Sequence, residues 1–324
     1  MPGLIVTTGP ITDECRASLS DVAEVEELPD DNEEALLAAA PSAIAFVVRG
    51  TSRLTRKVIE SAPGLLVIGR SGIGVDGVDM EAATERGIPV VVTPHAGVNA
   101  VAEGVFTLVL AITKKIRDLD FAVRNGNWAD RDHLGIGDLD GATLGIVGLG
   151  RIGYRVATLA SAFNMTVVAF DPYIDRERPE GPSIEFMSLN ELFECSDFIS
   201  LHAPLTPETR GLVSADLLQS CKLGTVLVNL ARGGLIESLD ALLSALDTGA
   251  LAGIGLDVYD EEPPNLSHRI FQDERVLFSP HALGLSDQAR HNIFSEMTSG
   301  MLSILSGERA PNIANPEINQ RTLP

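Results

Sequence analysis

The chain has 324 residues, of which 45% are hydrophobic, and its 24 basic and 45 acidic residues give a formal net charge of −21. This length suits two domains of ordinary size or one large one, with ample apolar material for buried cores. So negative a charge repels phosphate backbones and anionic lipid surfaces, and it argues against a nucleic-acid or membrane partner.

The N-terminal third alternates short apolar runs with helical patterns. Strands are predicted at LIVTT, AIAFVV, LLVIG (65–69) and PVVVT (89–93), and helices at TDECRASLS, DNEEALLAAA and DMEAATERG. Continuous apolar strands indicate sheets that are buried on both faces, so the pattern predicts parallel α/β architecture.

The first ten residues lack the basic segment of a signal peptide. Three cysteines without C-x-x-C spacing predict neither a disulfide framework nor a metal site, and favour the cytoplasm.

The pattern changes at residue 98. One long helix is predicted over about 98–119, and its apolar stretch is too short to span a bilayer. A polar, glycine- and aspartate-rich connector at 125–141 follows. A second α/β series then runs through ATLGIVGLGRIG, TVVAFD, DFISLHAP, GTVLVNLARGG, LAGIGLDV and RVLFSP, before a final helix from Asp287 to about Leu305.

The second series opens with Gly148-x-Gly150-x-x-Gly153, between an apolar strand and a helical pattern. Gly148 permits a tight turn, Gly150 allows the backbone to approach a pyrophosphate, and Gly153 allows the helix to pack against the strand. The helix N-terminus would then face the phosphates. A close-packed turn without a ligand is the simpler alternative, but the strand, the helix and a following acid together favour a dinucleotide site.

That acid is Asp171, which ends the next strand 18 residues after Gly153. Its carboxylate would hydrogen-bond the adenine-ribose hydroxyls and repel a 2′-phosphate, so the sequence predicts NAD rather than NADP. Arg176 and Arg178 follow closely and would weaken that preference.

Three later strands each end in a side chain suited to catalysis. Arg232 follows VLVN, Asp257 and Glu262 belong to GLDVYDEEPP, and His281 follows VLFSP. Because the carboxyl ends of parallel strands share one edge of a sheet, these groups are predicted to converge. A histidine near an apolar run is more often a packing or capping residue, but convergence with an acid and an arginine favours proton transfer beside a bound anion.

Several motifs together resemble the D-isomer-specific 2-hydroxyacid dehydrogenase family over essentially the whole chain. They are GRSGIGVDGVDMEAATERGI, GLGRIG…FD, LHAPLTPETRGL, NLARGGLIE, LDVYDEEP and SPH. The resemblance implies two Rossmann-like or flavodoxin-like domains with parallel sheets and an active site in the interdomain cleft. A substrate-binding domain would comprise 1–98 plus 288–324, and an NAD-binding domain 99–287.

The resemblance also implies residue roles. Arg232 would hold the substrate carboxylate, His281 would exchange the proton and Glu262 would hydrogen-bond His281. Cofactor contacts are implied for Gly148, Gly150, Arg151, Ile152, Gly153, Asp171, His202, Ala203, Pro204, Thr209, Leu230, Ala231, Asp257 and Gly284. Substrate contacts are implied for Arg49, Ser71, Gly72, Ile73, Gly74, Arg232 and His281, and no metal is implied.

The implied activity is reversible hydride transfer between NAD(H) and a small anionic 2-hydroxy or 2-oxo acid, in a homodimer formed through the NAD-binding domain around Trp128. The chain looks most like the family's D-3-phosphoglycerate dehydrogenases, without their C-terminal regulatory domain. The chain departs from that pattern at three positions. Those enzymes usually carry a Gly-Asn pair after the proline at Pro94, where this chain has His95 and a later Asn99, and Asp130 stands where they often have a basic residue. Hydroxypyruvate, glyoxylate and sulfolactate therefore remain alternative substrates, and an NAD-sensing corepressor is the alternative from another class.

Overall fold

A computed structural model of the protein describes residues 3–174 and 181–318, so Arg176 and Arg178 lie outside the described residues. The chain divides into two compact units. The first unit comprises Met1–Gly97 with Leu285–Pro324, and the second unit is Val98–Gly284.

Helices and strands alternate along nearly the whole chain. In order they are β1 (Leu4–Thr7), α1 (Asp13–Ser20), β2 (Glu24–Glu27), α2 (Glu33–Ala39), β3 (Ala43–Val48), α3 (Arg56–Glu60), β4 (Val67–Arg70), α4 (Met80–Glu85), β5 (Val90–Val91), α5 (Val98–Thr113), α6 (Ile116–Arg124), β6 (Thr143–Val147), α7 (Arg151–Ala162), β7 (Thr166–Phe170), β8 (Glu185–Phe186), α8 (Leu189–Cys195), β9 (Phe198–Leu201), α9 (Ala215–Gln219), β10 (Thr225–Asn229), α10 (Leu239–Thr248), β11 (Leu251–Leu256), β12 (Val276–Phe278) and α11 (Asp287–Leu305). The predicted parallel α/β architecture is confirmed.

The first unit is built on a five-stranded parallel sheet with the order β2-β1-β3-β4-β5. This is the flavodoxin-like order, whose direction reverses between β1 and β3. Helices α2, α3 and α4 bury one face of the sheet, and α1 and α11 bury the other. Loops at the carboxyl ends of β1 and β3 therefore lie where open α/β sheets bind ligands.

The second unit contains a seven-stranded parallel sheet with the order β12-β11-β10-β9-β6-β7-β8. Counted from β6, this is the Rossmann order 3-2-1-4-5-6 with one additional strand, and it reverses between β6 and β9. Helices α5 and α7 cover one face, and α8, α9 and α10 cover the other. Both faces are buried, which explains the continuous apolar strands of the sequence.

Short polar side chains define many helix starts. A side-chain oxygen of the residue before the helix accepts an amide hydrogen bond at Thr12, Asn32, Thr55, Asp79, Ser188, Ser214, Ser238 and Ser286. Such caps satisfy amides that the helix itself leaves unpaired. No helix within 3–174 and 181–318 is long and apolar enough to span a bilayer.

The prediction of one helix over 98–119 is wrong. Helix α5 ends at Thr113, Lys115 adopts a left-handed backbone with φ 53°, and α6 begins at Ile116. The Lys114 ammonium group donates to the carbonyl of Gly137 and is ion-paired with Asp138, which ties the break to the following connector. An apolar pattern that continues across the break carries no signal of this backbone reversal.

The three cysteines differ in accessibility. Cys15 and Cys221 are buried and Cys195 is exposed. Burial raises the pKa of the Cys15 thiol, and it raises the pKa of Cys221 to about 12. Because the thiolate is the reactive form, we expect Ellman's reagent to label one thiol of the folded protein rapidly and three after unfolding. Cys195→Ser should remove the rapid phase, and rapid labelling of two thiols would contradict this assignment.

Candidate active site

The glycine loop between β6 and α7 has the geometry of a phosphate-binding turn. Gly148 has φ +92°, and a Cβ there would lie 2.7 Å from the Ala203 amide nitrogen at the end of β9. At Gly153, a Cβ would lie 2.2 Å from the Gly148 carbonyl oxygen. Gly150 instead faces open space and caps α7 without a side chain. The uncovered helix N-terminus beside this open backbone fits a pyrophosphate.

Asp171 organises the same loop. One of its carboxylate oxygens accepts the Leu149 amide at 2.8 Å, and the other accepts the Tyr173 amide at 2.9 Å. Each oxygen retains capacity for a further hydrogen bond. The sequence suggested the ribose contact for this residue but did not reveal its contacts with the loop amides.

Several other predicted cofactor residues have structural contacts within the second unit. The His202 ring nitrogen Nε2 lies 2.8 Å from Ser200 Oγ, and the Thr209 hydroxyl donates to the Pro204 carbonyl at 2.6 Å. Leu230 is buried in the core. A Cβ at Gly284 would lie 2.9 Å from Val101. The side chains of His202, Thr209 and Leu230 therefore make contacts that stabilise the second unit.

The histidine–carboxylate pair forms in the structure. His281 Nδ1 lies 2.9 Å from Glu262 Oε2 and 3.1 Å from Oε1. The His281 side chain is 50% exposed and that of Glu262 is 19% exposed. Because Nδ1 faces the carboxylate, Nε2 is the nitrogen left for a substrate. His281 also has φ 53°, a left-handed conformation that non-glycine residues seldom adopt and that is found at functional sites.

Glu262 is held as a carboxylate. Burial alone would raise its pKa, but hydrogen bonds with His281 and the Tyr259 amide, and the charges of His281 and Arg232, hold the pKa below its usual range. The Tyr259 amide donates to Glu262 Oε1 at 3.1 Å. The carboxylate of Glu262 therefore faces His281 Nδ1 in its ionised form.

Arg232 follows β10, and its main chain is fixed by a buried asparagine. Asn229 Nδ2 donates to the Arg232 carbonyl at 2.8 Å, and Asn229 Oδ1 accepts the Ala231 amide at 3.0 Å. The Arg232 guanidinium donates to the Ala231 carbonyl at 2.6 Å. The sequence analysis overlooked Asn229, although a polar residue at the end of an apolar strand was an available signal.

Asp257 anchors the loop that carries His281. It is 3% exposed, and its Oδ1 accepts the Ser279 hydroxyl at 2.5 Å and the Ala282 amide at 2.9 Å. The Leu283 amide lies 3.3 Å from Oδ2. The sequence predicts a cofactor contact for Asp257, and these hydrogen bonds give it a structural role beside the histidine as well. Tyr259 adds a hydrogen bond from its hydroxyl to the Ser279 carbonyl at 3.0 Å.

In the first unit, residues 71–74 form a loop after β4. The Ser71 amide donates to the Val48 carbonyl at 3.2 Å, and the Gly72 amide donates to the Arg70 carbonyl at 2.8 Å. Substrate contacts are predicted for Ser71, Gly72, Ile73 and Gly74, and the amides of the first two already donate within the first unit. In the described part of the chain, the amides of Ile73 and Gly74 have no backbone acceptor.

Arg49 lies at the carboxyl end of β3. Its guanidinium donates to the Pro10 carbonyl and stacks over the Phe294 ring, 5.1 Å from the centroid. Among the departures from the family pattern, Asn99 Oδ1 accepts a hydrogen bond from Arg155 Nε at 2.9 Å, and His95 is exposed. The side chain of Asn99 is thus hydrogen-bonded to another residue of the second unit.

The burial of His202, which follows β9, can be tested by measuring protein stability against pH. Burial lowers its pKa from 6.5 to about 4, so the folded protein keeps the ring neutral. The resulting stability is complete above pH 6.5 and is lost as the pH falls from 6.5 towards 4. Between pH 7.5 and pH 5 we expect the free energy of unfolding to fall by about 2 kcal/mol more in the wild type than in His202→Asn. Urea titrations at both pH values measure this difference, and equal losses would contradict it.

Residues 106–282 match the sequence model described as D-isomer specific 2-hydroxyacid dehydrogenase, NAD binding domain. The chain is 39% identical over 321 residues to D-3-phosphoglycerate dehydrogenase from Methanocaldococcus jannaschii, covering 98% of this chain and 61% of that enzyme. It therefore spans less than two thirds of that relative's length.

Two solved structures are similar along nearly the whole chain. D-lactate dehydrogenase from Aquifex aeolicus, complexed with NAD and lactic acid, has a TM-score of 0.88 at 26% identity, covering 97% of this chain and 99% of that one. A glyoxylate reductase from Paecilomyes thermophila has a TM-score of 0.87 at 28% identity, covering 97% and 98%.

Proposed function

Because the chain belongs to the D-isomer specific 2-hydroxyacid dehydrogenase family, we propose that it is an NAD-dependent enzyme that interconverts a small anionic 2-hydroxy acid and its 2-oxo acid. The observation that carries the proposal is the His281–Glu262 pair at 2.9 Å. Both residues follow strands of the sheet that bears the glycine loop, and Arg232 follows a third strand.

Proton exchange is assigned to His281. In reduction its Nε2 donates a proton to the keto oxygen, and in oxidation it removes the proton from the hydroxyl. Glu262 stabilises the imidazolium through Nδ1. The Arg232 guanidinium binds the substrate carboxylate and stabilises the negative charge that develops on the oxygen.

When bound, NADH would supply the hydride that the substrate carbon accepts. The backbone at Gly150 and the N-terminus of α7 would hold the pyrophosphate, and Asp171 would hold the adenine ribose. The negative charge of Asp171 disfavours a 2′-phosphate, which supports NAD over NADP.

The substrate proposed first is D-3-phosphoglycerate, with 3-phosphohydroxypyruvate as its 2-oxo acid. Support comes from the relative named D-3-phosphoglycerate dehydrogenase and from Arg49 at the edge of the first sheet. Hydroxypyruvate or glyoxylate is the second candidate, favoured by the likeness to a glyoxylate reductase. The free cysteines suit a reducing compartment, so we place the reaction in the cytoplasm.

The second unit exposes apolar side chains that suit a homodimer interface. They lie on α6 and in the connector after it, and are Ile116, Phe121, Val123, Trp128 and Ile136. Grouped exposure of large apolar residues marks interaction surfaces. We expect sedimentation velocity to give a dimer that Phe121→Asp converts to monomer, whereas a wild-type monomer would contradict this assembly.

NADH absorbance tests the activity against 3-phosphohydroxypyruvate, hydroxypyruvate, glyoxylate, pyruvate, phenylpyruvate and 3-sulfopyruvate. Reduction of one acid with a marked preference supports the proposed reaction and identifies the substrate. If the protein binds NADH but reduces none of these acids, the proposed reaction fails and a cofactor-sensing binding protein becomes the better description.

A further inference from the structure

Two arginines of the first unit lie near the carboxyl edge of its sheet without an acidic partner. Arg49 follows β3, and Arg290 lies in the first turn of α11. In the described ranges, neither guanidinium forms an ion pair with a carboxylate. Two nearby acids pair with other groups, Glu27 with Arg16 at 2.6 Å and Glu14 with His291 at 3.2 Å. Arginines without an ion pair are unexpected in a chain with 45 acidic and 24 basic residues.

Helix geometry brings the two arginines to the same place. Phe294 lies four residues after Arg290 in α11, so the two side chains share one face of the helix. The Arg49 guanidinium stacks over the Phe294 ring, 5.1 Å from its centroid. Burial lowers the pKa of Arg49 and the charge of Arg290 lowers it further, while the charge of Glu27 raises it. Two neighbouring cations repel each other, and an anion bound near both would relieve that repulsion.

An independent observation marks the same edge. Over the residues that the structure describes, the buried side-chain polar atoms without a hydrogen-bond partner are Thr7 Oγ1, Arg49 Nε and Thr93 Oγ1. Thr7 ends β1, Arg49 follows β3 and Thr93 lies two residues after β5. Unsatisfied buried polar groups are rare and costly, and they require an explanation. A site that orders around an anion provides one, at the edge where open α/β sheets bind ligands.

We propose that Arg290 acts with Arg49 to bind the second anionic group of a doubly charged substrate, which makes Arg290 a specificity-determining residue. This inference rests on the proposed function and narrows it to 2-hydroxy acids that carry a phosphate or sulfonate on the third carbon. Two guanidinium groups offer enough N–H donors for a tetrahedral group with three free oxygens. A singly charged acid leaves their repulsion uncompensated.

Arg290→Gln tests the proposal because it removes the charge and keeps a polar side chain. The measured quantity is kcat/KM for 3-phosphohydroxypyruvate divided by kcat/KM for hydroxypyruvate. We expect this ratio to fall at least about tenfold, the effect of losing one charge-assisted hydrogen bond. Arg290→Lys should restore part of the ratio. An unchanged ratio, or equal losses with both acids, would overturn the proposal.

Arg309→Gln is the matched control. Arg309 belongs to the same unit, is exposed, and has no side-chain hydrogen bond or ion pair within the described part of the chain. Its substitution removes the same charge at a different place, so the ratio should stay within about twofold of the wild type. A fall as large as that of Arg290→Gln would show a general charge effect and overturn the assignment.

A second doubly charged acid, 3-sulfopyruvate, shows what the site recognises. If Arg290→Gln lowers the kcat/KM ratio equally for 3-sulfopyruvate and 3-phosphohydroxypyruvate, the site recognises charge and shape. If the ratio falls only for 3-phosphohydroxypyruvate, the site is a phosphate subsite.

Direct binding separates this inference from the proposed reaction. Inorganic phosphate is titrated calorimetrically into the wild type, Arg290→Gln and Arg309→Gln, whether or not any acid is reduced. We expect phosphate binding to weaken at least about tenfold in Arg290→Gln alone. If no acid is turned over but this pattern appears, the proposed reaction fails and the anion site stands. Equal phosphate binding by all three proteins would overturn the anion site even if the enzyme is active.

Discussion

Replacement of His281 by alanine is expected to lower kcat for 2-oxo acid reduction by about 10²- to 10⁴-fold, while the Kd for NADH changes little. The imidazole pairs with Glu262 at 2.9 Å and supplies the proton. Loss of a positioned general acid has an effect of that order. NADH absorbance gives kcat, and the quenching of protein fluorescence by NADH gives the Kd.

His268→Asn is the control for this experiment. His268 also pairs with an acid, Asp240, at 3.2 Å, and asparagine retains an acceptor for the Ile270 amide. Its kcat should remain within about twofold of the wild type, because the pair lies outside the proposed site. Full activity in His281→Ala would exclude the proposed mechanism.

Glu262→Gln separates charge from geometry at the same site. Glutamine retains an acceptor for His281 Nδ1 but loses the negative charge beside the ring. Because the carboxylate lies 2.9 Å from the ring that donates the proton, we expect loss of its charge to lower kcat for 2-oxo acid reduction at least about tenfold. An unchanged kcat would assign Glu262 to orientation alone.

Replacement of Asp257 by alanine is expected to reduce both stability and activity. It leaves the Ser279 hydroxyl and the amides of Ala282 and Leu283 without their acceptor. Unsatisfied buried donors cost about 1–3 kcal/mol each. Because the three hydrogen bonds are only partly buried, we expect the lower value for each and a fall of about 3 kcal/mol in the free energy of unfolding. Because the loop also holds His281, kcat should fall at least about tenfold.

Asp257→Asn provides the second variant. Asparagine retains one carboxamide oxygen for Ser279 and Ala282, so it should recover more than half of the lost stability and most of kcat. Urea unfolding measures the stability, and amide hydrogen exchange at Ala282 and Leu283 reports on the loop. Unchanged exchange and kcat in Asp257→Ala would show that Asp257 does not position the histidine.

Much of the fold could be predicted because burial leaves a direct mark on sequence. Strands such as β3 and β9, covered on both faces, are continuous apolar runs that no surface strand would show. The edge strands β2 and β8 were missed, since Glu24–Glu27 is mostly exposed and Glu185–Phe186 has only two residues. Lys115 carried no warning either, because the helical pattern of the sequence continues through its left-handed backbone.

For the site, the sequence predicted which strand ends carry Arg232, Glu262 and His281. It did not predict the hydrogen bonds between strand ends, since sequence spacing says nothing about distances after folding. Asp257 and Asp171 each accept amides of neighbouring loops, which only the folded chain reveals. Arg290 was overlooked for the same reason, because its relation to Arg49 depends on α11 packing against the first sheet.

The chemically important side chains follow the carboxyl ends of strands or lie in the first turn of a helix. The proton-transfer residues lie within residues 229–283. The two residues assigned to recognition of the distal anion, Arg49 and Arg290, lie outside that range. Point changes at the recognition positions are therefore free to retune substrate preference without disturbing the reaction. Such separation makes the scaffold evolvable, and a laboratory library limited to the recognition positions is the natural way to use it.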